Sequence, residues 1–70
     1  MSSYTIMPEG SDWIDCEHTG GDEQTIYSLN AHWYYPSTKI AIRNNDTGTV
    51  RIFSREQDAD GNLIRVIEHK

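Results

Sequence analysis

Residues 39–70 read "KIAIRNNDTGTVRIFSREQDADGNLIRVIEHK", a run of β-branched residues at alternate positions broken twice by turn chemistry. No other feature constrains the fold as much. Ile40, Ile42, Val50 and Ile52 alternate around "NNDTG", and Ile64 and Val66 follow "DADG". A period of two is the pattern of strands, and Asn, Asp and Gly supply the positive φ angles that tight connections need. The expectation is an antiparallel three-stranded meander. Read as one unbroken alternation, one face carries those isoleucines and valines. The other carries Arg43, Arg51 and Arg65 with Phe53, Leu63 and Ile67. A face that mixes arginines with large apolar groups is seldom wholly solvated, so the N-terminal half is expected to cover part of it.

In that half, "YTIM" and "DWIDCEH" read as short strands, separated by the turn signal "PEGS" and ended by "TGG". The segment "DEQTIYSLNAHWYYP" fits two templates. As a helix it starts at Asp22 after two glycines, aligns Ile26, Leu29 and Trp33, and stops before Pro36. As a strand it points Tyr27, Leu29, Ala31, Trp33 and Tyr35 one way and Ser28, Asn30, His32 and Tyr34 the other. Propensity favours the strand, because Thr, Ile, Tyr and Trp suit a pleated surface while Asn, Ser and His weaken a helix. On that reading Trp33 belongs to the core and Tyr34 to the surface. The expected fold is mostly β, a small antiparallel barrel or two-layer sheet of five to six short strands ending in the meander. The alternative is α+β with one helix at about 22–34.

The chain of 70 residues reads as a single domain, 1–70. A domain of this size buries only about 60 % of the surface that its unfolded chain exposes, so a homodimer contact or a tight partner would support it. A lone cysteine, Cys16, closes no intrachain disulfide, and "MSSYTIMPEG" lacks the basic start and apolar run of a signal peptide. No stretch is apolar over a membrane's width. The expectation is a cytoplasmic chain with no membrane partner.

Charge is segregated along the sequence. Residues 1–38 hold six acids (Glu9, Asp12, Asp15, Glu17, Asp22 and Glu23) and no lysine or arginine, whereas residues 39–70 hold all six basic residues and a net +1, within an overall −5. Either the halves neutralise each other in the fold, or the chain presents an electronegative surface that attracts a basic partner. The same acidity opposes direct nucleic-acid binding, although Arg43, Arg51 and Arg65 with Phe53 hold the ingredients of a single-strand platform.

The remaining motifs favour structure over chemistry. In "EQDADGNLI", Glu56, Asp58 and Asp60 are spaced as in a calcium loop. Position twelve from Glu56 is Ile67, however, and the flanks alternate as strands where such a loop needs helices. The string "DADGNL" is similar to the hairpin turns of tyrosine-aspartate (RHS-type) repeats, which implies a turn. Cys16, His18 and His32 lack the paired short spacings of a structural zinc site, so neither a metal nor a cofactor is expected. "NDT" at 45–47 matches a glycosylation acceptor but reads as turn chemistry. No nucleophile with a base, and no acid pair, can be assigned, so the chain is not expected to be an enzyme.

The expected function is that of a small acidic protein-interaction domain docking on the basic surface of a larger protein. By analogy of size and charge it would act as an inhibitor of the phage or mobile-element kind, including nucleic-acid mimics. Asp12, Asp15, Glu17, Asp22 and Glu23 would attract the partner, with Tyr34 as an anchor. The alternative is a small ligand-binding domain that stacks a sugar or nucleotide on its Trp and Tyr rings.

Overall fold

The computed structural model describes residues 3–16 and 20–69. Five strands form one antiparallel sheet: β1 (Tyr4–Pro8), β2 (Ile14–Cys16), β3 (Ile40–Asn44), β4 (Val50–Gln57) and β5 (Leu63–His69). Their order is β2-β1-β3-β4-β5, an open sheet with β2 and β5 at its edges. Between β2 and β3 the chain forms one helix, α1 (Glu23–Asn30), continued by a 3₁₀ turn at Ala31–Trp33. The fold is therefore mostly β and two-layered, with the expected C-terminal meander formed by β3, β4 and β5.

Turn chemistry places the hairpins as the sequence suggests. Gly10, Gly48 and Gly61 take φ of 83°, 77° and 85° in the three β-turn regions. In the last, the Asp58 carboxylate accepts the backbone N–H of Asp60 and of Asn62, each at 2.9 Å, so "DADGN" is a hairpin turn.

Three sequence expectations are corrected. First, residues 23–33 are helical, as the alternative reading had it, rather than extended. Asp22 caps the helix, accepting the Thr25 backbone N–H at 2.9 Å, and this local stop-start chemistry outweighs the β propensity of the segment. Second, the buried helix face is Ile26, Tyr27 and Ala31, while Leu29 is 44 % and Trp33 75 % exposed. The tighter winding of the 3₁₀ turn rotates Trp33 away from the sheet, and Tyr34, half-buried, packs against the core instead. Third, the meander does not keep one alternation. Ile40 pairs with Phe53 and Ile42 with Arg51, so the connection between β3 and β4 inverts the parity of the two strands. A bulge at Glu56/Gln57 shifts β5 again, placing Leu63 opposite Gln57.

The core follows from this register. Tyr4, Ile6, Ile40, Ile42 and Phe53 on the sheet meet Ile26, Tyr27 and Ala31 of the helical layer. Tyr27 and Phe53 stack with centroids 5.5 Å apart, a large apolar contribution in a chain poor in leucine. Among the described residues, the layer over the sheet is α1 with its 3₁₀ continuation. β1 and β2 extend the sheet edgewise beside β3 rather than covering the meander.

Candidate functional site

One face of the sheet packs on α1, and among the described residues nothing covers the other. Strand alternation and register align Met7, Ala41, Ile52 and His69 in one cross-strand row on this open face. The small side chains of Thr5, Ala41 and Ser54 on this face are 5 %, 5 % and 6 % exposed, while Val50 stands at 47 % and Ile52 at 37 %. Trp13, beside β2, extends the patch at the far margin, with the Arg43 guanidinium 4.4 Å from its ring centroid. That stacking holds the indole in place while leaving it 36 % exposed.

The predicted contact residues do not gather in one place. Asp12 and Asp15 are exposed on either side of Trp13 at this margin. Asp22 and Glu23 sit at the start of α1 in the opposite layer, and Tyr34 follows its end. Glu17 and His18 lie outside the described residues. Asp22 is committed to capping, and the Thr25 backbone N–H it accepts holds its carboxyl below the ordinary 3.8. Glu23 bonds Arg51 at 3.4 Å with a side chain only 12 % exposed. Arg51 also forks onto Glu68 at 2.7 and 3.1 Å, which pushes its guanidinium pKa further up.

Among the described residues, Glu23–Arg51 is the one ion pair joining the acidic half of the chain to the basic half. Asp12 and Asp15 form none there, so much of the negative segment stays on the surface. The expected arginine ladder is dispersed. Arg51 lies under α1, Arg65 pairs with Glu56 at 2.9 Å, and Arg43 stacks on Trp13.

Arg55, which carried no role in the sequence reading, fixes the end of the helical segment. It donates to the carbonyl oxygens of Ala31 at 2.7 Å and Tyr34 at 2.8 Å. A signal existed, since Arg51, Phe53 and Arg55 share one side of β4. Beside this clip, a cavity of about 550 Å³ opens between the Pro8–Ser11 turn and residues 32–36. Trp33 and Tyr35, 75 % and 81 % exposed, stand at its rim. Cys16 packs against the core and receives the Asn30 amide at 3.5 Å; no group of three His, Cys, Asp or Glu side chains gathers among the described residues. No described helix is long and apolar enough to cross a membrane.

No protein family, curated protein or solved structure matches the chain.

Proposed function

We propose that the chain is a non-enzymatic protein-interaction domain that docks its open sheet face on a larger protein and inhibits it by occupying that surface. The observation that carries this reading is the uncovered row Met7–Ala41–Ile52, continued by Trp13 and Val50. Contiguous apolar patches on small domains mark interaction sites, and Trp is the residue most often found as their anchor. Asp12 and Asp15 at the Trp13 margin, in a chain of net charge −5, favour a partner whose matching rim is basic.

The test is capture from lysate at several salt concentrations by wild type, by Ile52→Asp and by the pair Asp12→Asn/Asp15→Asn. Capture should fall with salt, disappear in Ile52→Asp and slow in the double variant, since rim charges act on association rate. Capture indifferent to salt and to both variants sinks the proposal. A dimer in sedimentation that Ile52→Asp dissolves would instead assign the face to a second copy.

A second reading is favoured by the rings of Trp33 and Tyr35 at the rim of the cavity of about 550 Å³. There the domain would stack a sugar or nucleotide. A saturable shift of tryptophan emission on adding either ligand, lost in Trp33→Ala but kept in Trp13→Ala, supports it; no shift removes it.

A further inference from the structure

A second cavity, of about 360 Å³, lies on the other side of Arg55, between the end of α1 and the outer strands. Its lining sets the apolar Tyr27, Ala31, Leu63 and Val66 beside the polar Ser28 and Gln57, at the small end of ligand-site volumes. Two observations there are independent of the docking face. The Tyr27 hydroxyl is fully buried and finds no hydrogen-bond partner among the described residues. Leaving such a group unmet is costly, so native cores rarely keep one. The Arg55 guanidinium, in turn, bonds only backbone carbonyls and has no carboxylate within ion-pair distance among the described residues. Among the described residues, two of its five N–H groups are engaged.

The cavity lining includes Arg55 and His32 but no acid. We propose that this cavity binds a small monocarboxylate with an apolar body, its carboxylate meeting Arg55 and, as the cavity wall yields to it, the buried Tyr27 hydroxyl, with its body lying against Leu63 and Val66. A carboxylate matches the planar donor geometry of a guanidinium. A single negative charge is balanced by that one cation, whereas a phosphate dianion would leave surplus charge in a chain already at −5.

Benzoate and hexanoate, each compared with its amide, are the probes, read by chemical-shift titration of the Leu63 and Val66 methyl groups. The carboxylates should saturate these shifts at least about tenfold more tightly than the amides, the effect of one charge-assisted bond. Tyr27→Phe should weaken benzoate by about 3–10-fold, the worth of one hydrogen bond. Leu63→Trp changes a residue 59 % exposed at the cavity's edge, so it should keep the fold and abolish binding by filling the space. Amides binding as well as the acids, shifts that never saturate, or Leu63→Trp binding like wild type would each overturn the assignment. Phenyl phosphate binding more tightly than benzoate would overturn the choice of a monocarboxylate.

Discussion

At the scale of single residues, the entry to α1 is the most tightly determined point of the chain. Gly21 has φ of +84°, and a Cβ placed there would stand 2.8 Å from the Thr25 side chain. Its carbonyl also accepts the Tyr4 hydroxyl at 2.7 Å, which ties the helix entry to β1. Gly21→Ala is therefore expected to cost roughly 1–3 kcal/mol in urea unfolding, the range for a non-glycine residue forced into this region. One residue on, Asp22 accepts the Thr25 N–H, and Asp58 plays the same part for Asn62 in the last turn. These backbone bonds hold both carboxyls below the ordinary 3.8. Because the folded values are depressed, the stabilisation is complete above the unfolded carboxylate range and is lost as pH falls through the folded values. An acid titration followed by helical ellipticity should show this loss below about pH 4, where unperturbed carboxylates also protonate. Asp22→Asn, a neutral cap of similar strength, should make the helix signal less sensitive to acid.

Among elements, the 3₁₀ turn depends on a residue from a distant strand. Arg55 bridges the carbonyls of Ala31 and Tyr34, so replacing it frees the end of the helical layer. Arg55→Met should cost roughly 1.5–3 kcal/mol, the range for a hydrogen bond to a charged group, measured by urea unfolding. Arg55→Lys should recover only part, because an ammonium lacks the planar fork that spans two carbonyls. This contact also shows where sequence reading stops. The turns "NNDTG" and "DADG", the β1–β2 hairpin and the meander were legible because glycine conformations and alternation are local. The face each residue takes was not. It depends on the parity of the β3–β4 connection and on the bulge at Glu56/Gln57, which depend on pairing across the sheet. For the same reason the aromatic run misread: Trp33 went out and Tyr34 in because a 3₁₀ turn, held by Arg55, replaced the assumed strand. Of the predicted contact residues, Asp12 and Asp15 flank Trp13 in the sequence itself, but their place at the margin of the open face comes from the β1–β2 pairing.

For the whole molecule, the decisive contrast is between the two faces of one sheet, and adjacent residues of β4 report it. Phe53 is fully buried under α1, while Ile52 points to the open face at 37 % exposure. A domain of this length has a total stability of only about 4–10 kcal/mol. Phe53→Ala is expected to remove about 3–5 kcal/mol of it, through lost burial and a residual cavity, and so to unfold a large share of the chains near 37 °C. Ile52→Thr keeps a β-branched side chain on a half-open surface and should change stability by no more than about 0.5 kcal/mol. It should nevertheless weaken partner capture, because the row Met7–Ala41–Ile52 loses its most exposed apolar group. Urea unfolding of the two variants beside wild type measures the difference without any knowledge of the partner. If Ile52→Thr cost as much as Phe53→Ala, the face taken here as open would be packed in the free protein, and docking would have to occur elsewhere.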